Sequence, residues 1–303
     1  MSLSFEKAIV IGGAGFIGSN LVKRLLEEEV EVLVIDNLFT GRKEFLDSRA
    51  DFVKIDIRSE KLKDKISKFM PDLVVHMAAI HYIPYCNSHP EETFDVNVMG
   101  TRNILEICSM LPRKPKFLFA SSAAVYPPLK IPLSEDLAGP IDIYGKTKLI
   151  GEDLTKIFFK DALIVRLFNV YGPNDPVPHL IPEILKQIKK GRRELKLGNL
   201  TPRRDYIHVD DVCDAIVSLL SNMKSGTFNI GTGCSYSVKE VVDVVSEILN
   251  ENIKIVQDKK KVRKVEREDL VADISKIQNE IAWRPKISFK TGIKNLLETN
   301  LVL

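Results

Sequence analysis

Cysteine and histidine are scarce in this sequence, with four and five residues respectively among 303. The cysteines, Cys86, Cys108, Cys213 and Cys234, lie far apart and form no Cys-x-x-Cys pair. This spacing excludes a zinc-finger motif and the disulfide framework that staples small secreted domains. We therefore expect no metal site and four reduced thiols, as in a cytoplasmic protein.

A strong excess of one charge is also lacking, because 44 basic residues face 41 acidic residues and leave a net charge of +3. Such a balance gives no overall field that would attract nucleic acid or an anionic membrane, so we expect neither partner. The first apolar run, residues 8–11, is short and breaks into glycines. It therefore predicts neither a signal sequence nor a membrane span. With 45% hydrophobic residues the chain can still bury a large core.

Short apolar runs alternate with helical patterns through the first half of the sequence. The runs are continuous, as in strands of a parallel sheet covered by helices on both faces. Strands are predicted at residues 8–11, 32–35, 52–55, 73–76, 117–120 and 163–167. Helices are predicted at residues 16–28, 59–69, 91–110 and 144–160, where apolar residues recur every three or four positions. This alternation predicts an α/β fold with a Rossmann-type, doubly wound parallel sheet.

The pattern changes after about residue 174, where several prolines occur. Helices at residues 182–190, 210–222, 238–250 and 290–301 and a strand at 228–230 predict a smaller C-terminal α/β lobe that binds substrate. We divide the chain into a cofactor-binding domain, residues 1–174, and a substrate-binding lobe, residues 175–303, and allow the chain to cross between them. The charged run at residues 259–269 predicts mainly a solvated loop.

A glycine-rich turn follows the first predicted strand, with Gly12, Gly15 and Gly18 at the spacing of a dinucleotide-binding loop. Such a turn lets backbone amides at the start of the next helix approach a pyrophosphate. Asp36 ends the second predicted strand. A carboxylate at that position accepts hydrogen bonds from the ribose hydroxyls and repels a 2′-phosphate, so it favours NAD over NADP.

A second group of polar residues follows the fifth predicted strand. Ser122 lies at the strand end, and the next helix carries Tyr144 and Lys148 four positions apart, on one helix face. An ammonium group beside a phenol stabilises its ionised form and makes it a usable base. We therefore expect Tyr144 to take a proton from a sugar hydroxyl that Ser122 also holds.

Taken in order, these motifs resemble the NAD-dependent epimerase/dehydratase family of extended short-chain dehydrogenases/reductases. Further similar segments lie at residues 56–57, 76–79, 97–101, 166–173, 204–211, 228–233, 272–276 and 283–285. The resemblance covers nearly the whole chain. It implies an NAD-dependent nucleotide-sugar 4-epimerase that acts on UDP-glucose and UDP-galactose.

The resemblance also implies a set of site residues. It places NAD against Gly12, Gly15, Phe16, Ile17, Gly18, Asp36, Asn37, Gly41, Asp56, Ile57, Ala78, Ala79, Asn97, Tyr144, Lys148 and Phe168. It places the UDP-sugar against Ser122, Asn169, His179, Leu180, Arg204 and Arg263, where the guanidinium groups suit phosphate recognition. A homodimer through the helices at residues 91–110 and 144–160 is a further expectation.

Ala123 and Ala124 follow Ser122, where dehydratases and decarboxylases of the family carry acids. Methyl groups cannot supply the acid and base of elimination, so their presence favours epimerisation. A 4,6-dehydratase or reductase with the same Tyr-Lys pair is the alternative, and a non-catalytic dinucleotide sensor is a second one. Leu270 occupies a position where a bulky residue restricts the sugar pocket in some epimerases, and the smaller side chain predicts room for N-acetylated sugars.

Overall fold

The computed structural model describes residues 3–262 and 267–301. Arg263, one of the predicted substrate-binding residues, lies outside the described residues. The strands are β1 (Lys7–Ile11), β2 (Glu31–Asp36), β3 (Asp51–Lys54), β4 (Leu73–His76), β5 (Lys116–Ser122), β6 (Leu163–Leu167), β7 (Asn169–Tyr171), β8 (Glu194–Leu197), β9 (Arg203–His208), β10 (Gly226–Ile230), β11 (Ser235–Ser237), β12 (Lys254–Gln257) and β13 (Asp269–Leu270).

The helices that connect these strands fall mostly where the apolar spacing predicts them. They are α1 (Phe16–Glu27), α2 (Lys61–Phe69), α3 (Ile83–Ser88), α4 (Pro90–Phe94), α5 (Thr101–Ser109), α6 (Ile143–Phe158), α7 (Leu180–Lys189), α8 (Val209–Ser221), α9 (Val238–Leu249), α10 (Ser275–Ile281) and α11 (Phe289–Leu301). Every strand predicted in the first half of the sequence agrees with the structure to within two residues at each end.

The main sheet has seven parallel strands in the order β10-β6-β5-β4-β1-β2-β3. Six of them follow the strand order of a doubly wound dinucleotide-binding fold. The predicted fold class is thereby confirmed. Strand β10 lies far along the chain, so residues beyond 174 also build this sheet. Whether the ranges 1–174 and 175–303 behave as separate domains stays a prediction.

Hydrophobic clusters cover both faces of the main sheet. Successive strand residues point to opposite faces, so Val10 and Val34 join one cluster with residues of α1 and α8, while Ile11 and Ile35 join the other with residues of α2 and α5. Both clusters are almost completely buried. Burying each large apolar side chain contributes about 1.5–3 kcal/mol, so the two faces fix the strand ends firmly.

The smaller lobe contains a separate core beside two short sheets. Strand β9 pairs with β7, β11 and β13, and β8 pairs with β12. Residues of α7, α9 and α11 form the hydrophobic cluster that covers these strands. This lobe rests against the carboxyl-end edge of the main sheet, because β7 follows β6 directly and leads the chain across.

The helix predicted at residues 91–110 is interrupted. A π-helical segment, Asp95–Gly100, separates α4 from α5. Its Asn97 side chain points inward and bonds the loop after β4 as well as Thr147 of α6. The wider turn therefore gives up regular helix geometry and gains these buried hydrogen bonds.

Candidate active site

A cavity of about 930 Å³ runs along the carboxyl ends of the main-sheet strands and under the smaller lobe. Its volume lies at the upper end of the range for small-molecule sites. Most of the predicted site residues line this cavity: Gly12, Gly15, Phe16, Ile17, Gly18, Asp36, Asn37, Ile57, Ala78, Ala79, Ser122, Tyr144, Lys148, Phe168, Asn169, His179, Leu180 and Arg204. We call the lining residues between 12 and 79 the cofactor wall and those between 169 and 270 the substrate wall.

At two positions of the glycine turn in the cofactor wall, Gly12 and Gly18, a side chain would collide with the backbone. Gly12 has φ +81°, and a Cβ there would lie 2.5 Å from the backbone N of Ala78. A Cβ on Gly18 would lie 2.3 Å from the Gly12 carbonyl oxygen. Helix α1 then begins without a side-chain cap or an acid in its first turn. Its N–H groups are therefore available to an anion such as a pyrophosphate.

Asp36 lies beside this turn, with its carboxylate held by backbone groups. Its Oδ2 accepts from Ala14 N at 3.0 Å, and its Oδ1 accepts from Leu38 N at 2.7 Å. Burial raises the pKa of the carboxyl, while the two N–H donors oppose that shift. A carboxylate oxygen can accept more than one hydrogen bond, so Asp36 can still accept from ribose hydroxyls. Together with the glycine turn, Asp36 fits an NAD molecule.

Three residues predicted to contact the cofactor are not among the described cavity-lining residues. A Cβ on Gly41 would meet the Ala14 backbone at 2.9 Å, so this glycine packs directly against the glycine turn. Asp56 is held by Arg58 at 2.8 and 2.9 Å and by Asn37 at 3.0 Å. Asn97, described above, is only 2% exposed. All three are placed to position the wall.

Ser122, Tyr144 and Lys148 meet between the two walls. Ser122 ends β5, and its Oγ accepts from Ala124 N at 3.1 Å. Burial raises the pKa of the Tyr144 phenol above its ordinary value, and the nearby Ser122 hydroxyl opposes this shift. Without a nearby positive charge, Tyr144 would therefore stay protonated at neutral pH and could not act as a base.

Lys148 supplies positive charge from the same helix face. Its side chain is buried, with Nζ 4.4 Å from the centre of the Phe119 ring. Burial lowers the pKa of the ammonium to about 7, and the negative charge of Glu152 one turn later opposes that shift. Glu152 is fixed by Ser121 at 2.5 Å and by two hydrogen bonds of 2.8 Å from Arg166. This buried carboxylate favours the charged form of Lys148.

The substrate wall presents cations and imidazoles. Arg204 donates through Nη1 to the carbonyls of Arg203 and Arg267. His179 lies at the N-terminus of α7, and its Nδ1 is 3.0 Å from Asp175 Oδ2. Its ring centre lies 5.9 Å from that of His81, which belongs to the loop after β4. The wall therefore offers several hydrogen-bonding groups to an anionic, hydroxyl-rich ligand.

Most of the described residues in the charged run 259–269 are exposed, as its composition predicts, but Arg267 is buried. Lys260, Lys261 and Arg267 line the cavity, and Arg267 is only 5% exposed. Charge alone could not reveal the burial of Arg267, because its hydrogen-bond acceptors, Asp142 and the carbonyls of Ala124 and Tyr126, lie far earlier in the chain. Leu270 lines the cavity as well, as its position predicts.

No cluster of His, Cys, Asp and Glu side chains in the described part of the chain could hold a metal ion. Of the adjacent acids at residues 210 and 211, Asp211 has a structural role, since it accepts from the backbone N of Lys286 and of Ile287. Across residues 3–262 and 267–301, none of the helices is both long and apolar enough to cross a membrane.

Comparison with known proteins identifies a family for this chain. The NAD dependent epimerase/dehydratase family matches residues 8–231. UDP-glucose 4-epimerase of Lactobacillus helveticus is 34% identical over 308 residues, covering 92% of each chain. The structure of UDP-glucose 4-epimerase from Thermus thermophilus in complex with NAD has a TM-score of 0.87 at 29% identity and covers 97% of this chain and 98% of that one. UDP-glucuronic acid 4-epimerase of Bacillus cereus, solved with UDP-glucuronic acid and NAD, has a TM-score of 0.88 at 28% identity, with coverage of 97% and 98%.

These matches confirm two predictions made from the motifs, the family resemblance and the use of NAD. The glycine turn and the residues Asp36, Ser122, Tyr144 and Lys148 all lie within the matched residues. The chain belongs to the NAD dependent epimerase/dehydratase family.

Proposed function

We propose that this protein is an NAD-dependent UDP-sugar 4-epimerase that interconverts UDP-glucose and UDP-galactose. The observation that carries this proposal is the meeting of Ser122, Tyr144 and Lys148 in one cavity, between the cofactor wall and the substrate wall. The names and bound ligands of the similar proteins support the same substrate class.

The chain's own residues have distinct parts in the proposed reaction. Tyr144 accepts the proton of the sugar C4 hydroxyl, Ser122 holds the same oxygen, and Lys148 stabilises the phenolate. The glycine turn and Asp36 would hold NAD, which would supply the hydride acceptor and donor for C4. Return of the hydride to the opposite face requires the sugar to turn, so binding energy must come from the nucleotide, as the cations of the substrate wall allow.

The described cavity lacks an acid placed for elimination, and this favours epimerisation. Ala123 and Ala124 form the turn after Ser122 and offer only methyl groups. Among the described lining residues the carboxylates are Asp36, Glu92 and Glu183. Glu92 accepts from Tyr85 and Glu183 from Lys261 and Gln187. Each acid already has a partner, and none adjoins Ser122 in sequence, so a dehydratase would lack its proton donor.

The direct test is incubation of the purified protein with UDP-galactose and no added reductant. UDP-glucose as product supports the proposal, a 4-keto-6-deoxy sugar supports a dehydratase, and tight NAD binding without turnover supports a sensor. Tyr144→Phe should reduce kcat by about 10²–10⁴-fold and keep NAD bound. Tyr85→Phe is the matched control, because its hydroxyl bonds Glu92 outside the Ser122–Tyr144–Lys148 group. Unchanged turnover in Tyr144→Phe would contradict the mechanism.

We also propose a homodimer formed through α4, α5 and α6. Apolar side chains on these helices and on the π-helical segment between α4 and α5 are exposed, with Phe94 at 41%, Met99 at 48% and Ile157 at 74%. Exposed apolar groups of this kind are typical of an interface. Light scattering should give about twice the chain mass of 34.2 kDa, and Ile157→Lys should shift it towards the monomer.

Cytoplasmic localisation is the third part of the proposal. Its support is the state of the cysteines, which are all unpaired, with Cys86, Cys108 and Cys213 buried. Burial and the absence of disulfides suit a reducing compartment. Fractionation of source cells should recover the protein and its activity in the cytosolic fraction.

A further inference from the structure

Arg267 is a buried guanidinium that links three parts of the site. Its side chain is 6% exposed, and Nη1 donates to Asp142 Oδ2 at 2.9 Å. Its Nη2 donates to the carbonyl of Ala124 at 2.7 Å, and its Nε donates to the carbonyl of Tyr126 at 3.2 Å. A guanidinium with this many ordered acceptors fixes the groups around it, because its fork geometry leaves little freedom.

The partners of Arg267 hold the catalytic side chains. Asp142 caps helix α6, since its Oδ1 accepts from Gly145 N at 2.8 Å. Tyr144 follows two residues after this cap. Ala124 lies two residues after Ser122, and a Cβ on Gly145 would lie 2.1 Å from the Ala124 carbonyl oxygen. The start of α6 and the turn after β5 are therefore in close contact at the point where Arg267 bonds both.

The backbone of Arg267 is also connected to the substrate wall. Arg204 Nη1 donates to the Arg267 carbonyl at 2.9 Å. Beyond it, β13 pairs with β9, which carries Arg204. One continuous set of hydrogen bonds therefore runs from the expected nucleotide-binding arginine to the turn and the helix cap that carry Ser122 and Tyr144.

We propose that Arg267 is a positioning residue that sets Tyr144 against Ser122 through Asp142 and the Ala124 carbonyl, and that it offsets the charge of Asp142 beside the phenol. This inference rests on the proposed epimerase function and deepens it. It assigns to the segment after residue 266 a part in the proton-transfer step, in addition to substrate binding.

The charge of Asp142 gives this role a measurable consequence. Several groups surround Tyr144: the Ser122 hydroxyl, the Cys86 thiol from α3, the Asp142 carboxylate and, on its own helix, Lys148. After burial, the pKa of Tyr144 is raised further by Cys86 and Asp142 and lowered by Ser122. Loss of Arg267 would leave the Asp142 charge without its buried partner, so the Tyr144 phenol should ionise at higher pH.

The test compares Arg267→Met, Arg267→Lys and Asp142→Asn in the NAD-bound protein. In Arg267→Met, kcat for UDP-galactose should fall by about 10-fold while KM changes by less than about threefold, since the lost contact acts on proton transfer. The acid limb of the kcat profile should move to higher pH. In the double variant Arg267→Met/Asp142→Asn, the acid limb should return to lower pH, because an asparagine keeps the helix cap and removes the charge. Arg267→Lys should restore part of kcat.

The matched control is Arg203→Met. The Arg203 side chain pairs with Glu240 and the Ser235 carbonyl and makes no contact of this kind with the turn after β5. Its kcat and pH profile should remain those of the parent protein. An Arg267→Met variant with unchanged kcat and pH profile would overturn the inference. If Arg267→Met does not fold, the test depends on Asp142→Asn alone, which should lower the pH at which Tyr144 ionises. An unchanged ionisation pH in Asp142→Asn would then overturn the inference.

A readout without substrate separates this inference from the proposed function. Titration of ¹³C-labelled tyrosine by NMR, with the Tyr144 signal assigned from Tyr144→Phe, reports the phenol directly. A higher titration midpoint in Arg267→Met supports the positioning role even if the parent protein fails to turn over UDP-galactose. An unchanged midpoint contradicts it even if the parent protein is an active epimerase.

Discussion

The cofactor wall and the substrate wall use different chemistry to hold their ligands. The cofactor wall offers glycines, backbone N–H groups and two charged side chains, Asp36 and Arg58. The substrate wall offers the charged side chains of Glu183, Arg204, Lys260, Lys261 and Arg267. The first wall is assembled from four segments at the ends of β1 to β4, within residues 12–79, and the second from segments spread over residues 169–270.

This difference suits two ligands with different tasks. A cofactor that stays in place through a cycle can be held by backbone atoms, which cannot change rotamer. A sugar nucleotide that enters, turns and leaves needs side chains that can adjust. The comparison predicts that changes to the cofactor wall act mainly through steric fit, and that changes to the substrate wall act mainly through charge.

Gly12→Ala should produce the largest effect. The new Cβ would lie 2.5 Å from Ala78 N in a backbone with φ +81°, so the glycine turn would have to move. We expect a loss of more than about 3 kcal/mol in the free energy of unfolding, together with loss of NAD binding. Chemical denaturation and calorimetric titration with NAD would measure both.

The control for this change is Gly191→Ala. Gly191 has a similar φ of +76°, but a Cβ there meets nothing within 4 Å. It should cost only the backbone strain, about 1–2 kcal/mol, and leave NAD binding intact. Equal losses in the two variants would show that strain alone, and not contact with Ala78, dominates this wall.

Asp36→Asn tests the one acidic group of the cofactor wall. Removing the charge should reduce the preference for NAD over NADP by about 100-fold, the upper range for a hydrogen bond to a charged group. Binding of both cofactors to the stripped protein gives the ratio. Asp56→Asn is the control, because Arg58 and Asn37 already occupy that carboxylate, and the ratio should not change there. An Asp36→Asn protein that still rejects NADP would assign selectivity to shape instead of charge.

The same contrast explains how much of the molecule the sequence could predict. The strands of the main sheet are local, continuous apolar runs, and their bounds are confirmed to within two residues. The glycine turn and Asp36 belong to adjacent elements, so spacing alone predicts that they meet. The interruption of the helix at residues 91–110 could not be predicted, because it depends on the bonds of Asn97 to a loop and to Thr147, 50 residues away.

Arg267 shows the opposite limit. Its neighbours in sequence are charged, so composition predicts a solvated side chain, yet its partners Asp142 and Ala124 lie more than 120 residues earlier. The burial of such a cation could be found only from the tertiary structure, because paired groups must offset the desolvation of the charge. Lys148 was predictable in comparison, since its four-residue spacing from Tyr144 is a local signal.

Arg204→Met should affect the substrate wall in a different way. Loss of a guanidinium that faces an anionic ligand should raise KM for the UDP-sugar by about 30-fold, with a smaller fall in kcat. Inhibition by free UDP should weaken in parallel and should lose part of its dependence on salt. Arg203→Met is again the control, because the Arg203 side chain pairs with Glu240. A fall in kcat alone, with KM unchanged, would mean that Arg204 does not bind the nucleotide.

Leu270→Tyr should give the smallest change and one confined to the choice of sugar. Leu270 is 7% exposed and packs in a cluster with Ala123 and Phe168 at the substrate end of the cavity. Because leucine leaves more room than tyrosine, the parent protein should turn over UDP-N-acetylglucosamine as well as UDP-glucose.

The Leu270→Tyr variant should lose about 10-fold in kcat/KM for the N-acetylated sugar and little for UDP-glucose, in the range that steric fit provides. Leu270→Met, which conserves volume, should retain both activities. Turnover of UDP-glucose without any turnover of UDP-N-acetylglucosamine by the parent protein would refute this assignment, and the limit on the sugar would then have to come from another part of the cavity, such as the His81 and His179 pair.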